Sequence, residues 1–274
     1  MVKVAVTGHN GRLGSELVRR GCNYLDIDIT DERLLSMEIK SVDPDVIINC
    51  AAYTDVSACE THTEYIRALD TNYYGVKNLR RVFPKLLIHL STDYVFNGKR
   101  GPYSENSKLT QAINAYGLTK QGAEIFLQSM PFPFSIVRTT CLYEVHQRTD
   151  FVAKVLNSIS NGNTFEATKN LSGNPTYVPH LADAILKLIE LDKIPEIINL
   201  SGREPLSRYE FALAIAGVFG YDKELIVPSN KTFWQGNRPK KAGFKTTLAE
   251  KLGLPIYSVV EGLKQYKKDL ENEV

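Results

Sequence analysis

The segment Val4-Ala-Val-Thr-Gly8-His-Asn-Gly11-Arg-Leu-Gly14 is the most informative stretch of this 274-residue chain for predicting its architecture. It places three glycines at Gly-x-x-Gly-x-x-Gly spacing between an apolar run typical of a strand and a segment with helical periodicity. Glycine permits positive φ and close backbone approach, so such a turn can hold a pyrophosphate against the amide groups and positive dipole end of the helix. An ordinary strand-to-helix turn also uses glycine, so the glycines alone leave both interpretations open.

The rest of the first half alternates between short apolar runs and stretches with apolar residues at three- and four-residue intervals. This alternation is typical of βαβ units and predicts an α/β fold with a Rossmann-like, doubly wound parallel sheet. The predicted strands cover residues 3–7, 46–50, 86–91 and 134–139, and the predicted helices cover residues 12–20, 31–41, 64–83 and 116–130.

The pattern loosens after Arg138, which indicates inserted substrate-binding structure. A helix at 151–160 and a strand at 164–167 are expected there, whereas a helix at 179–190 and a strand at 196–200 can return to the sheet. Segment 207–219 and the carboxyl-terminal region would build a smaller lobe. We predict a nicotinamide-dinucleotide-binding domain of residues 1–144 and 175–200, and a smaller substrate-binding lobe of residues 145–174 and 201–274.

The composition argues against several classes of function. Lys and Arg total 33 against 31 Asp and Glu, a formal net charge of +2 that gives no basic excess for binding nucleic acid. There is no signal-like leader and no run approaching the roughly 20 apolar residues that span a bilayer, so we expect a cytoplasmic protein without a membrane partner. The four cysteines lack CxxC spacing, so no metal or redox role is expected.

The region after the first predicted helix is short for this fold. A dinucleotide site usually has an acidic residue at the end of the second strand, about 20 residues after the glycine turn, that holds the adenosine ribose. Asp28 lies 20 residues after Gly8, but residues 21–27 leave room only for a very short strand. Asp28 either holds the ribose or caps the following helix through the cluster Asp28-Ile-Thr-Asp31. Both interpretations stay open, as does the choice between NADH and NADPH.

A tyrosine and a lysine stand four residues apart in Tyr116-Gly-Leu-Thr-Lys120, which puts both on one face of a predicted helix. A phenol with a pKa of about 10 is a poor acid-base catalyst at neutral pH, but a neighbouring ammonium stabilises its phenolate. This spacing therefore predicts a catalytic pair, although a solvated helix face can carry the same two residues.

A second motif, Ser91-Thr-Asp-Tyr-Val-Phe96, follows the apolar strand predicted at 86–91. It places Thr92 at the carboxyl edge of a parallel sheet, where ligands bind in this architecture. A hydroxyl there can donate a hydrogen bond to a substrate carbonyl as charge develops on its oxygen. Simple loop capping is the alternative, and it is disfavoured because the glycine turn, this motif and the Tyr-Lys pair occur together in one order.

These motifs together resemble the dTDP-4-dehydrorhamnose reductase family of extended short-chain dehydrogenases/reductases, with similarity from Val2 to about Leu252. The matching segments follow the family order: Gly8-His-Asn-Gly-Arg-Leu-Gly14, Pro44-Asp-Val-Ile-Ile-Asn-Cys-Ala-Ala-Tyr-Thr54, Asp70-Thr-Asn-Tyr-Tyr-Gly75, Ser91-Thr-Asp-Tyr-Val-Phe-Asn-Gly98, Tyr116-Gly-Leu-Thr-Lys120, Arg138-Thr139, Gly173-Asn-Pro-Thr-Tyr177 and Arg238-Pro239.

The resemblance implies NADPH or NADH as cofactor and a nucleotide-linked keto sugar as substrate, and it leaves metal dependence open. It implies Tyr116 as the proton donor, Lys120 as its electrostatic partner and ribose anchor, and Thr92 as the carbonyl-orienting hydroxyl. The implied cofactor-binding residues are Gly8, Asn10, Gly11, Arg12, Leu13, Gly14, Asp28, Ile29, Ala51, Ala52, Tyr53, Thr54, Tyr116 and Lys120. The implied substrate-binding residues are Thr92, Asp93, Tyr116, Cys141 and Arg238, the last as a grip on the nucleotide diphosphate.

Three positions need separate interpretation. Asn72 matches an asparagine of the family's central helix, but a buried structural hydrogen bond explains it equally well, so it stays outside the catalytic set. Cys141 stands where family members commonly have a tryptophan beside the sugar, and Glu144 where they often have glycine. Because cysteine cannot supply an aromatic surface, the identity of the sugar stays open.

The resemblance leads to reduction of the C4 keto group of dTDP-4-dehydro-6-deoxy-L-mannose to dTDP-L-rhamnose as the first hypothesis. One alternative is another nucleotide-4-ketosugar reductase or epimerase with a different pocket. The other is a non-catalytic regulatory subunit resembling the beta subunit of methionine adenosyltransferase, since fold alone does not imply catalysis. A homodimer is expected because it is the commonest assembly of soluble proteins.

Overall fold

The computed structural model describes residues 2–231 and 236–272 of the chain. Its strands are β1 (Val4–Thr7), β2 (Asn23–Tyr24), β3 (Val46–Asn49), β4 (Leu86–Thr92), β5 (Phe134–Thr139), β6 (Leu142–Tyr143), β7 (Phe165–Thr168), β8 (Ser172–Gly173), β9 (Thr176–Tyr177), β10 (Ile197–Asn199), β11 (Leu206–Ser207) and β12 (Ile226–Ser229). Its helices are α1 (Arg12–Arg19), α2 (Glu32–Val42), α3 (His62–Leu69), α4 (Gly75–Val82), α5 (Ala115–Gln128), α6 (Phe151–Ser160), α7 (Val178–Ile189), α8 (Arg208–Phe219), α9 (Thr247–Lys251) and α10 (Val259–Asn272).

Six parallel strands form the central sheet in the order β2-β1-β3-β4-β5-β10. The strand order reverses between β1 and β3, and ligands of such sheets bind beyond the carboxyl ends of the strands at that point. The second strand contains only two residues, which pair with Ala5 and Val6 of β1, as the short segment before Asp28 predicts. The predicted α/β fold with a Rossmann-like parallel sheet is confirmed.

Successive strand residues pack on opposite faces of the sheet, as the two-residue period of a strand requires. Val6, Ile48, Ile88 and Val137 belong to one apolar cluster, which α1 and α7 cover. Their neighbours Ala5, Ile47, Leu87 and Ile136 belong to a second cluster, which α2, α4 and α5 cover. Helices therefore cover both faces of the sheet. A ligand can reach polar groups of the strands only at the strand ends.

The single long helix predicted at 64–83 is interrupted. Helix α3 ends at Leu69, a π-helical turn covers Asp70–Tyr74, and α4 begins at Gly75. Isolated π-turns commonly lie at functional sites because the extra residue re-aims a side chain. Here the turn carries Asn72, whose side chain is fully buried.

A smaller apolar cluster lies outside the sheet, among α6, α8, α10 and the pair β7–β12. Val152, Phe211, Ile215, Leu263 and Tyr266 form much of it. The proposed division into two domains, and the homodimer, stay predictions. The predicted domain ranges also include positions 1, 232–235 and 273–274, which lie outside the described residues. Across the described ranges, the helices lack the length and apolar content that crossing a bilayer requires.

Candidate active site

A cleft of about 920 Å³ opens at the carboxyl ends of β1, β3, β4 and β5, beside the smaller apolar cluster. The predicted site residues that line it are Gly11, Arg12, Leu13, Gly14, Ala52, Thr54, Thr92, Asp93, Tyr116, Lys120, Cys141 and Arg238. Gly8, Asn10, Asp28, Ile29, Ala51 and Tyr53 are not among the lining residues. The structure thus brings the predicted catalytic and phosphate-binding residues together, and places the predicted adenosine-binding residues elsewhere.

The glycine turn holds the start of α1 close to the end of β1. Gly8 has a φ of 67°, and the Gly11 amide donates to the Gly8 carbonyl at 3.0 Å. A Cβ at Gly14 would lie 2.1 Å from the Gly8 carbonyl oxygen, so only glycine fits there. Gly11 is the N-cap of α1 and has no side chain to satisfy the first amides of the helix. These amides are available to an anion.

Arg12 reaches from α1 toward the other side of the cleft. Its Nη2 donates to Thr149 Oγ1 at 2.8 Å, and its Nε lies 3.8 Å from a carboxylate oxygen of Glu144. The Nε itself is buried and has no hydrogen-bond partner in the structure. A buried guanidinium donor beside open helix amides fits a pyrophosphate group, so these residues are suited to a dinucleotide cofactor.

The adenosine end differs from the sequence-based expectation. Asp31 is the N-cap of α2 and accepts from the Leu34 amide at 2.9 Å, so Asp28 is not the helix cap. Asp28 is exposed and accepts from the Thr30 amide. Ile29 is 1% exposed and packs in the apolar cluster on the α2 face of the sheet. The predicted contact of Ile29 with the adenine stays a prediction, and its buried side chain leaves the backbone as the part of Ile29 that could make it.

Two other residues lie closer to the end of β2. His9, within the glycine turn, stacks on Tyr24 with ring centroids 4.7 Å apart. Its Nε2 lies 3.6 Å from Asp26 Oδ1, and Asp26 follows β2 by two residues. When the position is counted from the end of β2 rather than from Gly8, Asp26 becomes the candidate for the acidic residue that holds the adenosine ribose.

Helix α5 begins where it can present Tyr116 and Lys120 to the cleft. The Asn114 side chain caps the helix by accepting from the Gly117 amide at 2.7 Å. A Cβ at Gly117 would lie 2.3 Å from the Tyr94 carbonyl oxygen, so glycine lets the helix approach the loop after β4. Tyr116 lines the cleft beside Thr92, and its ring packs edge-on against Tyr94 with the ring centroids 5.9 Å apart.

Burial controls the ionisation of both members of the Tyr-Lys pair. It raises the pKa of Tyr116, the negative charge of Asp93 raises it further, and the neighbouring Thr92 hydroxyl opposes the shift. Burial also lowers the pKa of Lys120 to about 8, against the opposing effect of Glu124. The phenol is thus protonated at neutral pH, which suits a proton donor. In this structure the expected stabilisation of a phenolate by Lys120 does not outweigh burial.

Asp93 is buried beside Thr92 at the end of β4. The hydroxyl of Thr140 donates to its Oδ2 at 2.8 Å, and the hydroxyl of Thr92 donates to its Oδ1 at 3.2 Å. Burial raises the pKa of Asp93 to about 6, and the two hydroxyl groups partly offset this. Asp93 therefore orients Thr92 and carries a negative charge at neutral pH in the wall of the cleft.

Cys141 and Arg238 lie at two different places in the cleft wall. Cys141 has a φ of 53°, and its Sγ would be 2.8 Å from a Cβ at Gly173, so a larger side chain at either position would be strained. Arg238 donates to Tyr94 Oη at 3.3 Å and to Ser57 Oγ at 2.9 Å. Its guanidinium is thereby held beside the loop that carries Thr92 and Asp93.

Sequence reasoning missed Arg208. This residue begins α8, which is otherwise part of the smaller lobe, yet it lines the cleft and interacts electrostatically with Cys141. Its guanidinium also lies 5.3 Å from the centroid of Phe151 and interacts electrostatically with Asp93. The sequence carries no local signal for this role, because the contact joins α8 to the end of β5.

Asn72 has its side chain fully engaged by the protein. Its Oδ1 accepts from the Tyr53 amide at 2.8 Å, and its Nδ2 donates to the Tyr53 carbonyl and to Thr119 Oγ1. These bonds tie the loop after β3 to α5. They support the structural interpretation of Asn72 and show why the loop from Ala51 to Thr54 is held in place.

This chain is similar to several known proteins. The family described as RmlD substrate binding domain matches residues 2–272. The dTDP-4-dehydrorhamnose reductase of Mycolicibacterium smegmatis is 31% identical over 82% of this chain and 72% of its own length, and methionine adenosyltransferase 2 subunit beta of Danio rerio is 28% identical over 93% and 86%. The crystal structure of dTDP-4-dehydrorhamnose reductase from Bacillus anthracis in complex with NADP is 28% identical, covers 98% of this chain and 99% of its own, and superposes with a TM-score of 0.89. This chain belongs to the RmlD substrate-binding domain family.

Proposed function

We propose that this chain uses NADPH or NADH to reduce the C4 keto group of dTDP-4-dehydro-6-deoxy-L-mannose to dTDP-L-rhamnose. The observation that carries the proposal is the convergence of Thr92, Tyr116 and Lys120 in the cleft that also holds the glycine turn. The relatives from M. smegmatis and B. anthracis that bear the name of this activity support it.

The cleft fits the cofactor at its phosphate and ribose groups. The amides at the start of α1 and the Arg12 guanidinium would hold the pyrophosphate. Lys120 would hold the ribose next to the nicotinamide through the ammonium proton that faces the cleft. A reduced nicotinamide bound there supplies the hydride.

Tyr116 is the proton donor of the proposed reaction. Its raised pKa keeps the phenol protonated at neutral pH, so the proton is present when the substrate binds. As negative charge develops on the carbonyl oxygen, the phenol transfers its proton to that oxygen. The ammonium of Lys120, one helical turn away, then offsets the negative charge left on Tyr116.

Thr92 orients the carbonyl. Its Oγ1 accepts from the Tyr94 amide and donates to Asp93 in this structure. When a carbonyl oxygen lies beside Tyr116, the same hydroxyl can turn its proton toward it and stabilise the developing charge. Asp93, no longer bonded to Thr92, can then accept from a sugar hydroxyl.

Two arginines would bind the rest of the substrate. Arg238 contacts Tyr94 and is suited to a nucleotide diphosphate, which a guanidinium binds in bidentate fashion. Arg208, beside Cys141 and near Asp93, occupies the part of the cleft where a stacked aromatic ring would otherwise contact the sugar. It supplies hydrogen-bond donors in place of an apolar surface.

The test is turnover of enzymatically generated dTDP-4-dehydrorhamnose with NADPH and with NADH, followed by nicotinamide absorbance and by chromatography of the nucleotide sugar. Tyr116→Phe should abolish oxidation of the cofactor, while Tyr221→Phe, a matched change at a partly exposed tyrosine of the smaller lobe, should not. Failure to form dTDP-rhamnose, with cofactor binding intact, would count against this substrate.

The two alternatives give different outcomes in the same assay. Another nucleotide-4-ketosugar reductase or epimerase would convert a different keto sugar with the same dependence on Tyr116. A regulatory subunit, as the name of the D. rerio relative suggests, would bind the cofactor without turning over any keto sugar and would bind a partner enzyme tightly. The complete Thr-Tyr-Lys set favours the enzyme.

A further inference from the structure

The loop between β6 and α6 contributes to the wall of the cleft. It consists of residues 144–150, of which Gln147, Thr149 and Asp150 line the same cleft as the glycine turn. None of these three residues has a role in the proposed reaction. Their position in the cleft wall leaves open what the loop does for a ligand.

Two buried carboxylates fix the shape of this loop. The two oxygens of Glu144 accept from the His146 amide at 2.6 Å and from the Gln147 amide at 2.9 Å. Asp150 accepts from the Glu144 amide at 3.0 Å and, at the start of α6, from the Ala153 amide at 3.1 Å. Glu144 is 3% exposed and Asp150 is 6% exposed. The backbone between the two carboxylates is therefore held at both ends.

Arg12 connects helix α1 to this loop across the cleft. Its Nη2 donates to Thr149 Oγ1 at 2.8 Å, and its Nε lies 3.8 Å from Glu144 Oε1. A free arginine side chain samples many rotamers, and fixing it on binding costs free energy that reduces the affinity for a ligand. The two contacts with the loop therefore place the guanidinium before a ligand arrives.

The guanidinium of Arg12 keeps donors for a ligand. It has several N–H groups, and the contact with Thr149 occupies one of them. Its Nε is buried and makes no hydrogen bond within the described part of the chain. Glu144 lies too far from Nε for a hydrogen bond, so it offsets the charge of Arg12 without occupying a donor. Arg12 is also the first residue of α1, whose open amides suit an anion.

We propose that Thr149 is a positioning residue of the cofactor site, whose hydroxyl holds the Arg12 guanidinium in the orientation that binds the pyrophosphate of the cofactor. Thr149 acts through Arg12 rather than by contact with the cofactor. The fixed loop supplies the hydroxyl at a constant place, and Glu144 balances the charge. The inference rests on the cofactor-binding part of the proposed function and does not depend on the identity of the sugar.

The test is a double-mutant cycle on cofactor affinity, measured without any sugar by fluorescence titration with NADPH and with NADH. Thr149→Val removes the hydroxyl and keeps the size of the side chain. It should raise the Kd about three- to fivefold, a modest loss of preorganisation because water can reach the exposed Thr149. Arg12→Ala should raise the Kd at least about tenfold, the loss of hydrogen bonds to a charged group.

The double variant distinguishes positioning from direct contact. It should bind the cofactor as Arg12→Ala does, within about twofold, because Thr149 then has no guanidinium to hold. If Thr149→Val weakened binding by the same factor in the Arg12→Ala protein as in the wild type, Thr149 would contact the cofactor itself, and the proposal would be overturned. Tighter binding by Thr149→Val would also overturn it, since Thr149 would then compete with the pyrophosphate for Arg12.

Thr149→Ser is the matched control, because it keeps the hydroxyl. Its Kd should stay within about twofold of the wild-type value, and a loss equal to that of Thr149→Val would contradict the role of the hydroxyl. Thermal unfolding checks the fold of each variant, and Thr149→Ala takes the place of Thr149→Val in the cycle if the valine variant does not fold.

The outcomes for the inference and for the proposed reaction are separable. The expected affinities without turnover of the keto sugar would keep the role of Thr149 and count against the proposed substrate. Normal turnover with independent effects of the two substitutions would keep the reaction and overturn the role of Thr149. Absence of cofactor binding by the wild-type protein would overturn both.

Discussion

The sheet side and the lobe side of the cleft are organised differently. On the sheet side, Thr92 ends β4, and Tyr116 and Lys120 lie one turn apart on α5. On the lobe side, Arg208 at the start of α8 meets Cys141 after β5, a contact between residues far apart in the sequence. Short-range spacing therefore positions Tyr116 and Lys120, which we propose act in the chemistry, whereas the proposed contact of Arg208 with the sugar depends on how the lobe packs.

The largest expected effect is on the sheet side. Thr92→Val keeps the shape of the side chain but removes the hydroxyl, so we expect kcat to fall by about 10²–10³-fold, as for the loss of one oxyanion donor. Thr92→Ser should retain most of the activity, since it keeps both the hydroxyl and the cap on the Tyr94 amide. If the valine and serine variants were equally active, the hydroxyl of Thr92 would have no part in the chemical step.

The second prediction concerns pH. Because burial lowers the pKa of Lys120 to about 8, its ammonium is present below that pH and is lost above it. In the proposed reaction an ammonium holds the ribose and offsets the charge on Tyr116. We therefore expect kcat/KM to be level from about pH 6.5 to about pH 7.5 and to fall about tenfold per unit well above about pH 8.

Lys120→Arg is the matched control for this profile. A guanidinium stays charged throughout the range, so whatever activity the variant keeps should show no alkaline limb near pH 8. If kcat/KM of Lys120→Arg still fell above about pH 8, the group that titrates would be one other than Lys120.

The third prediction tests the lobe side. Arg208→Ala should raise KM for the nucleotide sugar by about tenfold, the loss of a hydrogen bond to a charged donor, with a smaller change in kcat and no change in the Kd of the cofactor. Arg33→Ala, an exposed arginine away from the cleft, is the control. If Arg208→Ala lowered kcat as much as Thr92→Val does, the lobe side would take part in the chemical step as well as in substrate binding.

Most of the fold was predictable because its signals are local. Glycine spacing, apolar runs and helical periodicity each act over a few residues. They predicted the strands that carry Thr7 and Asn49, and a strand at 86–91 that the structure extends by one residue to Thr92. The interruption of the long helix at Asn72 was not predictable, since a π-turn leaves the apolar pattern almost unchanged. It is explained by the three hydrogen bonds that Asn72 makes with Tyr53 and Thr119.

The candidate site divides in the same way. Tyr116 and Lys120 were predictable from their spacing, while Arg208 and the contact of Thr149 with Arg12 were not, because each contact joins separate elements of the chain. The adenosine end could not be placed from the sequence, because a strand of two residues gives no periodicity to count from, and the roles of Asp28 and Ile29 stay predictions. Ile29 directly follows the exposed Asp28 in the sequence, but its own side chain packs into the core.

The smallest expected effect lies at this adenosine end. Asp26 follows β2 and lies near His9 of the glycine turn, whereas the Asp28 carboxylate accepts from its own turn. If Asp26 contacts the adenosine ribose, Asp26→Asn should weaken NADH binding relative to NADPH by about three- to fivefold, the modest change expected of an exposed charge. Asp28→Asn should leave this ratio unchanged. Fluorescence titration with NADH and with NADPH measures the ratio of the two affinities. A change of this ratio in Asp28→Asn but not in Asp26→Asn would instead assign the ribose contact to Asp28, four residues after the end of β2.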